Sequence, residues 1–341
     1  MNDDVPRHGR QKGVNHMSSK PLSIDGAAAM LRDADRVLIL THQYPDGDTL
    51  GSGFALCRAL RELGKTARVV CADPVPDKYG FMTEGMGADP VFEPAFICAV
   101  DVADTRLLGD SLAPVGRKAD LCIDHHGSNV QYARYLLLDA ACSATAVLID
   151  GVIRLLGVRL DRAMAECLYT GIATDTGCFK YSNTTPATQR LAAELMECGA
   201  RADWINRVMF DIKSRARVEL ERLALDSMRF YYGDRCAIMI IDNEMMARSG
   251  AVENDMEGLA PIPRQIEGVW VGVTLRQKED GGFKVSIRTG NHADASAICA
   301  VMGGGGHACA AGCAIHAPRE EAVRRILDAV AQSVPGIAVD N

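Results

Sequence analysis

Four short runs rich in Val, Ile and Leu punctuate the first half of this chain: RVLIL at 36–40, ARVVC at 67–71, FICAV at 96–100 and ADLCI at 119–123. Amphipathic segments at 49–64, 143–157, 161–173 and 187–199 lie between and after them. Strands that are apolar throughout must be covered on both faces, so the alternation predicts a parallel sheet with helices on each side, an α/β domain. In such sheets ligands collect in the crevice outside the carboxyl ends of the strands.

A length of 341 residues is more than one ordinary core and enough for two domains. After a polar opening over 1–20, expected to be a disordered tail, the α/β domain spans 21–200. Residues 201–228 read as a charged connecting helix. A smaller α+β domain follows over 229–335. Its strands at 235–241, 269–277 and 282–290 look antiparallel, the last two joined by the turn KEDGG, with helices at 293–302 and 318–334.

Composition excludes several classes. No apolar run reaches the roughly 18 residues of a membrane span, and the opening segment lacks the apolar stretch of a secretory leader, so a cytoplasmic protein with no membrane partner is expected. The 12 cysteines are scattered through apolar runs, which fits reduced, buried thiols. Cys309 and Cys313 have no second Cys/His pair at zinc-site spacing. A net charge of −7 disfavours a stable grip on long nucleic acid, while permitting local basic residues that hold one or two phosphates.

The residues that follow the oily runs are polar in a particular way. RVLIL leads into THQYPDGDTLGSG, with His42, Asp46 and Asp48; FICAV runs into Asp101; ADLCI runs into Asp124, His125 and His126; the helix over 161–173 delivers Asp175. On parallel neighbours, His42, Asp46, Asp48, Asp101, His125 and Asp175 project into one crevice. Four carboxylates and two imidazoles so placed repel one another unless cations sit among them. Carboxylate with imidazole and no thiolate suits Mn²⁺, with Mg²⁺, Co²⁺ or Zn²⁺ as substitutes. Six ligands exceed the needs of one catalytic ion, so two divalent metal ions are expected, roughly 3.5–4 Å apart around a bridging carboxylate and hydroxide. The plainer alternative is that these aspartates cap helices or form Asx turns, as Pro45-Asp46-Gly47-Asp48 suggests by composition.

Read in order, THQYPDGDTLGSG, AVDVADTRLLGD, IDHHGSN and YTGIATDTGCFKYSNTTPAT resemble the four motifs of the DHH phosphoesterases, and GGGGHACAAG at 303–312 resembles the signature of their associated C-terminal domain. The likeness covers roughly residues 35–315. It implies that His42 and Asp46 bind one ion, Asp48 the other, that Asp101 bridges them, and that His125 and Asp175 complete the second site. It further implies that Asp124 fixes the His125 tautomer and that His126 faces the substrate phosphate. In the C-terminal domain it assigns Ser286, Arg288 and the loop residues Gly304, Gly305, Gly306 and His307 to the nucleotide end of the substrate. Residues alone add that the glycine run offers backbone N–H groups free of Cβ near a following helix start, a phosphate cradle. A flexible turn, and a merely solvated Arg288, are the bland readings.

The expected reaction is phosphoester hydrolysis by a metal-bridging hydroxide, with His126 polarising or protonating the leaving oxygen. A catalytic domain joined to a glycine-loop domain suggests a cleft for a small two-ended molecule. The resemblance points to the branch that degrades RNA of a few nucleotides and removes the 3′-phosphate of pAp, with a homodimer as a frequent arrangement. Hydrolysis of cyclic di-AMP or its linear product, RecJ-type exonuclease action, family II pyrophosphatase action and a nucleotide-sensing module without activity remain alternatives.

Overall fold

The structure is a computed structural model that describes residues 18–337 apart from residue 257. It divides into two compact units between Ile212 and Lys213. No helix among the described residues is long and apolar enough to cross a membrane.

The first unit holds strands β1 (Lys20–Pro21), β2 (Val37–Leu40), β3 (Ala67–Val70), β4 (Phe96–Val100), β5 (Leu121–Asp124) and β6 (Tyr135–Leu138). They form one sheet in the order β1-β6-β5-β4-β2-β3, and every neighbouring pair is parallel. Its helices are α1 (Ile24–Asp33), α2 (Gly47–Glu62), α3 (Gly109–Gly116), α4 (Thr145–Leu155), α5 (Arg162–Asp175), α6 (Pro186–Glu197) and α7 (Ala202–Asn206). Alternate residues of β2 enter different cores, Val37 and Ile39 with α1, α2, α4 and α5, Leu38 and Leu40 with Leu112 and Val115 of α3. That two-sided burial is why the run reads as continuously apolar. From β2 the chain steps outward to β3 and then back across to β4, so the strand order reverses between β2 and β4.

Strand β1 has no strong pattern of its own. The tail expected over 1–20 lies outside the described residues up to 17, but Ser19 is buried with its hydroxyl donating to the Ala133 carbonyl, and Lys20–Pro21 pair with Tyr135–Leu136. Nor is 201–228 one helix. Chain geometry passes from α7 through a π-type turn over Arg207–Asp211 and becomes extended at Ile212. A new helix, α8 (Arg215–Asp226), then starts behind Ser214, whose side chain accepts the Arg217 N–H.

The second unit contains α8, β7 (Arg229–Tyr231), β8 (Cys236–Ile241), α9 (Asn243–Ser249), β9 (Val271–Gln277), β10 (Phe283–Thr289), α10 (Ala295–Val301), β11 (Gly305–His307), β12 (Ala310–Ile315) and α11 (Arg319–Ser333). Its sheet runs β11-β12-β10-β9-β8-β7. One pairing departs from the antiparallel expectation, for β8 and β9 are parallel. The segment between them carries α9 and two 3₁₀ turns and crosses over instead of folding back as a hairpin. One face of the sheet, with Val273, Val285 and Ile287, packs on Ile298, Ile326 and Val330 of α10 and α11. At β8 the opposite face, with Met239 and Ile241, is covered by Leu220 and Ala224 of α8.

Candidate metal centre

The point where strand order reverses is where the acidic residues meet. His42 follows β2, Asp101 follows β4, His125 and His126 follow β5, Asp46 and Asp48 open α2, and Asp175 ends α5. Helices α2 and α5 approach closely enough that a Cβ on Gly51 would lie 2.3 Å from the Cys167 carbonyl oxygen, and one on Gly171 would lie 2.8 Å from Asp48 Oδ1. Glycine at both positions therefore lets the helix bearing Asp48 lie against the helix bearing Asp175.

Ligand-type atoms gather in three groups: His42 with Asp46 and Asp101; Asp48 with His125 and Asp175; Asp101 with His125 and His126. All six residues expected from the sequence are among them. Asp101 stands between the first two groups, Oδ2 at 3.7 Å from His42 Nε2 and Oδ1 at 3.8 Å from His125 Nε2. Its backbone is left-handed, φ 60°, a conformation uncommon outside glycine that is held where the surroundings enforce it.

Each imidazole is oriented by a carbonyl. His42 Nδ1 donates to the Gln43 oxygen at 2.8 Å and His125 Nδ1 to the Cys142 oxygen at 3.2 Å, since a carbonyl can only accept. Both Nε2 atoms therefore face the acids. His125 Nε2 lies 3.2 Å from Asp175 Oδ2 and 4.0 Å from Asp48 Oδ2, yet it is buried without a hydrogen-bond partner among the described residues. A lone pair turned toward carboxylate oxygens is the arrangement that a divalent cation satisfies, and the hard oxygen and imidazole donors match that chemistry.

Electrostatics record the same crowding. Burial pushes the Asp48 carboxyl well above the ordinary range, aided by the charges of Asp101, Asp175 and Asp46. Burial likewise raises Asp175 to about 6. For His42, burial alone would lower the pKa, but hydrogen bonding and charge from Asp101 and Asp46 overrule it and carry the imidazole to about 11.

Helix capping, the plainer reading, is also realised. Asp46 caps α2, accepting the N–H groups of Asp48 and Thr49 at 3.0 and 3.1 Å. Asp48 accepts the Thr145 and Ala146 N–H groups at 2.7 and 2.9 Å, serving the start of α4, whose own N-cap residue Ala144 offers no side-chain acceptor. Capping fixes these carboxylates in place without removing them from the cluster.

One expected contact is corrected. Asp124 does not touch His125; Oδ1 accepts from Nδ1 of His126 at 2.8 Å, and Oδ2 accepts from Asn129 at 2.6 Å. The side chain leaves β5 on the side of the following turn, where the His126 N–H also reaches it at 3.1 Å. That hydrogen bond raises His126 to about 9. Sequence spacing also missed Thr145, whose hydroxyl donates to Asp101 Oδ1 at 2.8 Å, together with Asn129 and the Cys142 carbonyl. Asn129 lies within IDHHGSN, but the motif does not say which residue it holds.

In the second unit, two cross-strand rows place the remaining candidates. Arg288 stands between Gly272 and Ala310, with His307 beyond; Ser286 stands between Thr274 and Gly312, with Gly305 beyond. The glycine run departs from the expected cradle. It follows the end of α10 and leads into β12, not into a helix start. Gly303 and Gly304 donate their N–H groups to the carbonyls of Ala300 and Cys299. Gly304 and Gly306 are required by close contact with β12, since a Cβ would lie 2.4 Å from the Gly312 oxygen and 2.6 Å from the Ala310 oxygen respectively.

Comparison with known proteins agrees with this geometry. Residues 36–172 match the DHH family, N-terminal domain, and residues 237–335 match the DHHA1 domain. The bifunctional oligoribonuclease and PAP phosphatase NrnA of Thermus thermophilus is 36% identical over 304 residues, covering 87% of this chain and 90% of that one. Its namesake in Bacillus subtilis is 24% identical over 86% of this chain and 93% of its own length. A crystal structure of an exopolyphosphatase-related protein from Bacteroides fragilis superposes with a TM-score of 0.82 at 26% identity, covering 91% of this chain and 95% of that one. With its acidic cluster at the strand-order reversal and a DHHA1 domain later in the sequence, the chain belongs to the DHH family.

Proposed function

We propose that this protein is a metal-dependent phosphoesterase that hydrolyses short oligoribonucleotides to mononucleotides and removes the 3′-phosphate of pAp. The observation that carries the reading is the convergence of His42, Asp46, Asp48, Asp101, His125 and Asp175 from five separate elements around a buried, unpartnered imidazole nitrogen. Relatives named for those two activities, aligned over nearly their whole length, support the substrate class.

His42, Asp46 and Asp101 would hold one divalent ion, Mn²⁺ foremost, and Asp48, His125 and Asp175 a second, with Asp101 offering an oxygen to each. Bound there, such ions supply Lewis acidity toward a phosphoryl group and lower the pKa of water. The chain does the positioning. Thr145 holds the Asp101 carboxylate, and the Gln43 and Cys142 carbonyls hold His42 and His125 with Nε2 turned inward. Asp124 keeps a proton on His126 Nδ1 and fixes the ring, which is half-exposed and able to donate toward a leaving oxygen.

The test is a substrate panel with Mn²⁺: pAp, a dinucleotide, a trinucleotide, a long single strand, cyclic di-AMP and pyrophosphate. Fastest turnover of the di- and trinucleotide, with phosphate release from pAp, is expected. Preference for the long strand, for cyclic di-AMP or for pyrophosphate would replace the substrate assignment. Absence of metal-dependent turnover of any of them would remove the enzyme reading.

A further inference from the structure

In the second unit, chain spacing suggests one cysteine pair and the fold makes another. Cys309 and Cys313 are four residues apart, but Cys309 sits in the turn between β11 and β12 while Cys313 lies well inside β12. The strand from Ala310 to Cys313 alone spans about 10 Å, beyond the roughly 7 Å between Cα atoms that a disulfide allows. Cys313 is instead the cross-strand partner of Val285, whose side chain packs toward α10 and α11, so it joins the core that contains Cys299 of α10. Gly304 touches both residues. Its N–H donates to the Cys299 carbonyl at 2.9 Å, and an ideal Cβ on it would lie 2.4 Å from Cys313 Cβ. No side chain at Gly304 keeps the two cysteines apart, and their thiols hydrogen-bond to each other.

The two partners are unequal. Cys299 is buried, whereas Cys313 is partly open to solvent. Their hydrogen bond pushes the Cys299 thiol above its ordinary value and holds the Cys313 thiol below it, so Cys299 donates and the Cys313 sulfur ionises first. In thiol chemistry the thiolate is the nucleophile, and access decides which sulfur meets a reagent. Cys313 combines both properties. Cys299 stands behind it as the second thiol, shielded from reagents but in contact with its partner.

We propose that Cys299 and Cys313 are a reversible oxidation site, which closes to an intrachain disulfide when the chain meets a low-molecular-weight disulfide. The Cys313 thiolate attacks one sulfur of the reagent, forming a mixed disulfide and releasing one thiolate. Cys299 then gives up its proton to water and attacks the Cys313 sulfur, expelling the second thiolate. Two protein thiols are oxidised, one reagent disulfide is reduced to two thiols, and an excess of thiol reverses the exchange. The bond ties α10 to β12 beside Gly304. The inference stands on packing within the second unit and is independent of which phosphoester the protein cleaves.

The test incubates the folded full-length chain with oxidised glutathione in the absence of denaturant, blocks the remaining thiols with N-ethylmaleimide and cleaves at methionine with cyanogen bromide. Met302 separates Cys299, the single cysteine of fragment 257–302, from Cys309 and Cys313 in fragment 303–341. The two fragments should stay joined until reductant is added, while the uncut chain still runs as a monomer under denaturing conditions. Cys309→Ser, at an exposed turn, should keep the link; in that variant each fragment has one cysteine, so a joined pair can only be Cys299 with Cys313. Adding Cys313→Ser should abolish the link. Adding Cys299→Ala instead should leave one glutathione trapped on fragment 303–341, the intermediate that has lost its second thiol. Separate fragments in Cys309→Ser overturn the proposal, as does a link that survives Cys313→Ser, that forms only in denaturant or that is confined to covalent dimers. If a core variant melts early, Cys309→Ser alone decides by the same criterion.

Discussion

In the first unit, four carboxylates and two imidazoles are pressed together where the strand order reverses, whereas in the second unit Arg264 and Arg288 enter no ion pair among the described residues. The first assembly is incomplete without cations. It is held by hydrogen bonds that act before any ligand arrives. Asp46 and Asp48 are fixed by helix N–H groups, while Gly272 and Gly290 leave the room that Arg264 fills. The contrast can be tested by removing one charge at a time.

The largest effect is expected at Asp101, the carboxylate with an oxygen toward each metal group. Asp101→Asn keeps the acceptor for Thr145 and tolerates the left-handed backbone, so the fold should survive. Turnover should nevertheless fall by about 10³-fold or more, beyond the roughly 10- to 100-fold that losing an outer partner costs. Metal analysis of the dialysed protein should show the shortfall directly. Full metal content with full activity in this variant would remove Asp101 from the centre.

His126→Ala separates chemistry from metal retention. With its ring held by Asp124 and half-exposed, His126 is proposed to act on substrate, so turnover should drop about 10²- to 10⁴-fold at unchanged metal content. If the metal is lost in parallel, His126 belongs with Asp101 and His125 as a ligand, a grouping the geometry also offers.

How much of this was legible beforehand differs between the two units for a physical reason. Carboxylates at the ends of oily runs announce themselves, because strand and helix periods fix where a strand ends and which residue leaves it. His42, Asp101 and Asp175 could be placed that way. The partner of Asp124 could not, since the choice between His125 and His126 depends on a turn of two residues. Neither could β1, two residues whose pairing rests on tertiary contact and not on a pattern of their own. In the second unit the informative residues are glycines, and a glycine's meaning lies in what packs against it. Gly272 and Gly290 look like ordinary strand residues until Arg264 is seen lying across them. The parallel pairing of β8 and β9 was hidden for a similar reason, because the crossover between them has no repeating hydrophobic period.

A smaller effect sharpens the electrostatic side of the contrast. In metal-free protein Asp175 is raised to about 6 from an ordinary 3.8. A raised carboxyl contributes stability when protonated, at low pH, and that contribution is lost as pH rises toward and through 6. Asp175→Asn removes the liability, so with chelator present the variant should melt a few degrees above wild type at pH 7, the gap closing by about pH 4. With Mn²⁺ the order should invert, because the ion stabilises the ionised site that asparagine weakens. Melting curves at four pH values, with and without metal, check both signs. A gap that ignores metal would mean that Asp175 faces no cation.

Glu166 supplies the contrasting case of a charge cluster already complete. It is buried on α5, nine residues before Asp175, and its carboxylate accepts from Arg162 at 3.0 Å and from Arg201 at 2.5 and 3.1 Å. Burial alone would raise its pKa, but the two arginines overrule it and hold the carboxyl below the ordinary range. A lowered carboxyl contributes stability above the unfolded pKa of about 4.3, and that contribution is lost as pH falls through the folded value. Glu166→Gln should therefore lower the melting temperature at pH 7. Because both arginines reach solvent, the loss should be about 1–2 kcal/mol, less than for a fully buried pair. The decisive readout is the comparison with the incomplete metal cluster: the cost at Glu166 should be the same with chelator and with Mn²⁺, since no ligand is missing there. A metal-dependent cost would show that α5 transmits strain from Glu166 to Asp175, and the clusters could then no longer be treated as independent.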